Sequence, residues 1–229
     1  VSSEAQRIVG QVEELAAKLQ QLLVDPQTQS LALLALADPA KLADLSGHLS
    51  SRIPQIKRAR VVPEPLWRFR PTEVAGNGFA LQEMMMMAQA GQQPPLQMHP
   101  SLQPPMLVDV TGIKKGKDLA GYLVIEVEPE YVLAQFNPEL SGNAYSSISQ
   151  NNGRQAAATL KSVGNAAPAN TLSEKLPVNG TLFRIEVPLP RAPGFLSGSV
   201  LVVALALGLL LLVTAVILYR LNKQWVLEH

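Results

Sequence analysis

The chain has 229 residues, with 19 Lys+Arg against 18 Asp+Glu and no cysteine. Arg220, Lys223 and Glu228 lie near the C-terminus, which leaves 17 charges of each sign in the rest of the chain. That is enough chain for one domain with its own core; its neutrality argues against nucleic acid as a partner, and the missing cysteine excludes a disulfide framework, a thiolate metal site and a cysteine nucleophile.

In chain order, Ile8, Val12, Leu15, Leu19, Leu22 and Leu23 recur at three- and four-residue steps, the pattern of a long amphipathic helix over residues 2–24. Asp25-Pro26 stops it. A second helix is expected over 28–37 and a third over 39–52, capped by Asp38, with Pro39 in its first turn. Ile56–Val62 alternates weakly and reads as a first strand. A loop with Trp67 and Phe69 follows, then a short helix over 79–90 that ends at Gly91. Five prolines between Gln92 and Pro105 predict an extended surface connection.

The strongest strand signal comes next. Met106–Thr111 and Leu119–Glu128 predict a hairpin turning over Gly112–Asp118, in which Leu123, Ile125 and Val127 form one buried face. Glu126 and Glu128 alternate with that face and read as solvent-facing. A short helix from Pro129 to Phe136 leads away. A second hairpin is expected at Asn151-Asn152-Gly153, because Asn and Gly tolerate positive φ. Residues 162–174 read as loop, and Thr181–Pro188 as a last strand entered through Asn179-Gly180. Helices first and antiparallel strands after them make an α+β pattern. A long N-terminal helix packed on an antiparallel sheet is the layout of PAS/Cache-like sensor domains.

Ser199–Tyr219 closes the chain with a run that is uncharged from Val200 to Leu218 and interrupted only by Gly208 and Thr214. As a helix it is about 30 Å long, the thickness of bilayer hydrocarbon, and it has no polar stripe. It reads as a single transmembrane helix, with Tyr219 and Trp225 as interfacial anchors. Ala204, Gly208 and Ala215 offer a small-residue face for another helix. Residues 1–190 are then one extramembrane domain, 191–198 a juxtamembrane linker, 199–219 the span and 220–229 a stub. Charge does not orient the helix, since Arg184 and Arg191 precede it and Arg220 and Lys223 follow. No leader is visible at Val1, which implies a processed N-terminus or an upstream span. Leu227-Glu228-His229 matches the start of a vector-encoded polyhistidine tag, in which case the natural chain runs on past Val226; a natural terminus is the alternative.

A more specific likeness rests on Asp25-Pro26, the stretch Ala35–Pro63, Leu96–Pro100, Gly121–Val127 and Leu176–Pro190. In these segments the chain resembles the membrane-anchored N-terminal region of long-form bacterial phosphomannomutase/phosphoglucomutase. The resemblance implies a domain in the periplasm, an inner-membrane anchor and a cytoplasmic stub after Tyr219. The mutase reaction itself needs a phosphoserine loop of the form Ser-His-Asn-Pro, which this sequence lacks.

No P-loop, nucleophile elbow, zinc-protease or dinucleotide motif is present, so no catalytic residue and no cofactor are expected. Met84–Met87 with Met98, His99 and Met106 would suit a soft Cu(I) ion. The plainer reading is that these methionines fill a core, with Met98 and His99 the remaining metal candidates. Lys57, Arg58, Arg60, Arg68 and Arg70 form a basic cluster for an anionic surface or ligand, or else a solvated face paired with Glu64 and Glu73. Two functional classes follow. One is a membrane-anchored periplasmic sensor or interaction domain, not an enzyme, working as a homodimer and regulating a module beyond the span. The other is an accessory single-span subunit docked in a larger membrane complex; the expected partners are the bilayer and another protein.

Overall fold

The computed structural model describes residues 3–64, 78–99, 102–136, 145–151, 158–164, 173–188, 206–207 and 209–217. The chain divides into two units, Val1–Leu189 and Pro190–His229.

The first unit begins with three helices: α1 (Ser3–Val24), α2 (Pro26–Ala37) and α3 (Leu42–Arg52), the last entered through a 3-10 turn at Pro39–Lys41. The buried stripe of α1 runs Ala5, Ile8, Val12, Ala16, Leu19, Leu23. It differs from the expected stripe because alanines share it, where close approach favours a small side chain; Leu15 and Leu22 sit at its margin. Asp25 ends α1 and also starts α2: its carboxylate accepts from the Gln27 and Thr28 backbone N–H groups, while Pro26 occupies the first helical position. Asp38 does the same for the turn after α2, accepting from Ala40 N at 3.0 Å.

Two four-stranded antiparallel sheets follow, not the single sheet that the alternation predicts. The first comprises β1 (Ile56–Pro63), β2 (Gln97–His99), β3 (Met106–Lys115) and β4 (Asp118–Val127) in the order β1-β4-β3-β2. The second comprises β5 (Ser146–Gln150), β6 (Ala158–Val163), β7 (Ser173–Pro177) and β8 (Phe183–Pro188) in the order β6-β5-β8-β7. Two short helices intervene, α4 (Gly78–Gln89) and α5 (Glu130–Leu133).

The first sheet is buried on both faces. Leu107, Leu123, Ile125 and Val127 join the core formed with α1, α2 and α3. Val108, Val110, Tyr122 and Val124 form a second core under Leu81, Met84 and Met85 of α4. The hairpin strands are therefore longer than expected: Gly112 lies inside β3, and the chain reverses at Gly116, whose φ is +67°. Gly121 of β4 has no room for a side chain, since a Cβ there would stand 2.5 Å from the Val62 carbonyl oxygen and 3.0 Å from Leu36.

Three other expectations change. The proline-rich connection contains β2, because Pro95 and Pro100 bracket a proline-free run whose residues are buried. The loop expected over 162–174 begins with the end of β6 and finishes in β7, a strand whose Ser-Glu-Lys-Leu-Pro sequence has little apolar signal. The helix after Pro129 shrinks to a single turn. The hairpin expected around Asn151 is present as the β5–β6 pairing, with Gln150 opposite Ala158, although its turn at 152–157 lies outside the described residues.

In the second unit, residues 206–207 and 209–217 are helical and their leucines uncovered; Leu209 and Leu211 are each 69% exposed. Among the described residues no helix is long and apolar enough to cross a membrane. The helical residues described reach roughly half the hydrocarbon thickness. The rest of the expected span, with Ala204, Gly208, Tyr219 and Trp225, lies outside the described residues.

Candidate functional site, a cleft at the end of the first sheet

The largest cavity described has a volume of about 730 Å³ and lies where the first sheet meets the second. Its walls come from β1 (Lys57, Arg58), β4 and the residue after it (Glu126, Glu128), α5 (Glu130, Leu133) and β6 (Thr159, Leu160). Met98, Met106 and the 102–105 segment between β2 and β3 complete it. Leucine, methionine and proline side chains supply an apolar body, and charged groups stand around it. A small organic ligand needs that combination: area to bury and a few polar groups to orient it.

The strand register explains the charges. Arg58 lies opposite Glu126, and Arg60 opposite Val124, so both arginines share the face on which Glu126 projects. Glu126 is buried and does not face solvent as its alternation suggests, because this face too is covered. A buried carboxylate is costly unless paired. Its Oε1 stands 3.0 Å from Arg60 Nη2, a charge contact without hydrogen-bond alignment, and its Oε2 stands 3.6 Å from Arg58 Nη1. Lys57 Nζ pairs with Glu128 at 3.1 Å. Arg60 thus holds the buried carboxylate closely, while Arg58, 65% exposed in its side chain, is the looser partner at the cleft.

The predicted basic cluster is therefore split. Lys57, Arg58 and Arg60 come together on β1, but their carboxylate partners are Glu126 and Glu128. Glu64 accepts a hydrogen bond from the Tyr122 hydroxyl at 2.7 Å. Arg68, Arg70 and Glu73 lie outside the described residues. Charge counting alone could not find Glu126, since the partner across two strands depends on register.

The metal candidates do not converge. Met98 and His99 are successive strand residues and so point to opposite faces; Met98 joins the main core, and His99 pairs across the strands with Met106. Met84 and Met85 are buried in the second core, whereas Met86 is 55% exposed. Among the described residues no group of three or more His, Asp and Glu could hold a metal ion.

Two ionisable groups stand out elsewhere. Asp109 is fully buried in β3 on the face toward the helices, opposite Ile125, and so on the other side of the sheet from Glu126. Its Oδ1 accepts from Val110 N at 2.8 Å, and its Oδ2 has no hydrogen-bond partner among the described residues. Burial pushes its carboxyl up to about 7 against the opposing pull of that backbone hydrogen bond. Tyr131, on α5, donates to the Leu15 carbonyl oxygen at 3.1 Å; burial, and then the charge of Glu14, push its phenol up to about 12. It lines a shallower groove of about 520 Å³ with Leu15, Leu22 and Arg52. The alternation of apolar residues gave no warning of Asp109, which occupies a core position in Met-Leu-Val-Asp-Val-Thr.

No family model matches the chain. No curated protein matches it either. Among solved structures it is similar to the extracellular ligand binding receptor from Desulfohalobium retbaense, with 11% identity, a TM-score of 0.50, and coverage of 83% of this chain and 41% of that one. It is also similar to a domain of a sensory box/GGDEF family protein from Vibrio parahaemolyticus, with 13% identity, a TM-score of 0.46, and 82% and 96% coverage. A third is the sensor domain of the histidine kinase DctB from V. cholerae, with 11% identity, a TM-score of 0.44, and 82% and 97% coverage. Of these three the first reaches a TM-score of one half, over less than half of that receptor's length, and what it establishes is the fold. The link to a phosphomannomutase gains no support from these likenesses. The chain has an α+β fold similar to that of part of the extracellular ligand binding receptor.

Proposed function

We propose that the chain is the ligand-sensing, extracytoplasmic part of a membrane-anchored bacterial protein, with its ligand a small organic molecule held in the 730 Å³ cleft. The cleft carries this reading: it is apolar in its body, charged at its margin, and built from both sheets, so an occupant touches each of them. The fold likeness to an extracellular receptor supports it. So does the absence from the sequence of any catalytic constellation.

The anchor is the apolar segment 199–219, whose described leucines are uncovered by protein and require an apolar environment. The domain then sits in the periplasm, held to the inner membrane, and its output passes to a module beyond the segment. A sugar-phosphate mutase as that module is a proposal on the sequence motifs alone. The ligand acts by favouring one arrangement of the two sheets over another, and it can shift that equilibrium only by its difference in affinity for the two.

A thermal-shift screen of the full chain against amino acids, organic acids, amines and sugars tests the reading. The expected result is one chemical series that raises Tm in the wild type and fails to do so in Leu160→Trp, which fills the cleft from β6. A series that stabilises both proteins equally would place binding elsewhere, and no hit across all four classes would remove the sensor reading.

A further inference from the structure

The edge of the first sheet is completed by the second. The peptide groups of Leu96, just before β2, and of Met98 within it point away from β3, as alternation along an antiparallel edge requires. Leu96 is satisfied by the connection between β7 and β8, and Met98 by the last residue of β5. Leu96 N donates to the Gly180 carbonyl at 2.9 Å, and Leu182 N donates to the Leu96 carbonyl at 3.0 Å. Met98 is met by a side chain: Gln150 Oε1 accepts from Met98 N, and Gln150 Nε2 donates to the Met98 carbonyl at 3.0 Å. One primary amide thus plays both parts of a missing strand's peptide group. Gln150 is only 4% exposed and ends β5, which pairs directly with β8.

We infer that Gln150 is a latch that couples the cleft to the second sheet. Met98 lines the cleft, and the segment after it, 102–106, forms one wall. Any shift of that wall on filling the cleft is passed through Met98 to Gln150, and from β5 to β8. Side-chain amide chemistry is specific here. A carboxylate at position 150 can accept from Met98 N but repels the Met98 carbonyl, and an aliphatic side chain leaves both buried groups unpaired. The role of the wall as a ligand contact rests on the proposed function; the latch itself does not.

Native-state amide exchange of the full chain as a function of urea tests it without a ligand. In the wild type the Met98 amide is expected to be as protected as those of β3 and β4, and the two sheets to open as one unit. In Gln150→Leu the Met98 amide should exchange at least about 100-fold faster, in Gln150→Glu by less because its carboxylate still accepts from Met98 N, and in both the sheets should separate into two units with different urea dependence. Gln150→Asn, too short by one methylene to reach both groups, provides a milder variant should the others fail to fold, with the same direction expected. Wild-type sheets that already open separately, or Met98 protection within about 3-fold of wild type in folded Gln150→Leu or, should that fail to fold, Gln150→Asn, would overturn the latch. Loss of the latch result would leave the cleft reading standing, and an intact latch with an empty screen would remove the ligand reading alone.

Discussion

The two sheets have the same strand number and opposite economies of burial. β4 is buried continuously from Gly121 to Val127, since helices α1–α3 cover one face and α4 the other. β7 alternates between exposed and half-buried residues, and β6 has no fully buried residue at all. The first sheet is thus a rigid, doubly covered platform. The second is a thinner layer held by its inner face, around Ile148, Phe183 and Ile185, and by α1, which touches β3 of one sheet and β8 of the other. In the proposed sensor this contrast sets a firmly packed wall and a thinner one on either side of the cleft.

Truncation is the hardest test of the contrast. Leu107→Ala removes a fully buried side chain between β3 and the helical layer and should lower stability by about 3–5 kcal/mol. Leu176→Ala, on half-buried β7, should cost less than about 1 kcal/mol. Urea unfolding of the two variants measures the difference, and equal losses would mean that the sheets are equally buried in solution.

Asp109 sharpens the comparison, because it places an ionisable group within the platform. Its folded carboxyl, at about 7, lies above its ordinary value of 3.8, so the folded state holds the proton more tightly than the unfolded chain. Stability from this group is fully present below pH 4 and is lost as pH rises from there to about 7. The total change is roughly 4 kcal/mol. Asp109→Asn should remove that slope and leave the protein more stable than wild type at pH 8. Unfolding curves at pH 5 and pH 8 check both statements.

A smaller effect separates local capping from packing. Asp25→Ala removes the carboxylate that accepts from Gln27 N and Thr28 N and should cost about 1 kcal/mol, as cap losses do, with no effect on exchange in the second sheet. A larger or more distant effect would show that the α1–α2 junction does more than start a helix.

The degree to which the sequence could be read follows the same asymmetry. Helices α1–α3 were legible because long apolar periods and Asp-Pro pairs mark both their faces and their ends. The β3–β4 hairpin was legible in position but not in length, since a glycine at 112 reads as a turn until Leu119 and the strand alternation on both sides are known to pack against it. β7 was invisible, as were the buried states of Glu126 and Gln150. Each depends on a partner distant in sequence: Arg60 across β1, Met98 on another sheet. β2 was hidden by its flanking prolines, which do bracket an edge strand but resemble a loop. The cleft could not be read at all, for its walls come from five separate segments. The basic cluster on β1 and Met98, named for a metal, were its visible traces.

Methionine methyl groups provide the most direct test of the cleft. The chain has six methionines, of which Met98 and Met106 line the cleft while Met84, Met85, Met86 and Met87 do not. In protein labelled with ¹³C at the methionine methyls, titration with the compound series that raises Tm should shift the Met98 and Met106 resonances and leave the four on α4 in place. Shifts confined to Met84–Met87, or none at saturation, would contradict a ligand site at the junction of the two sheets.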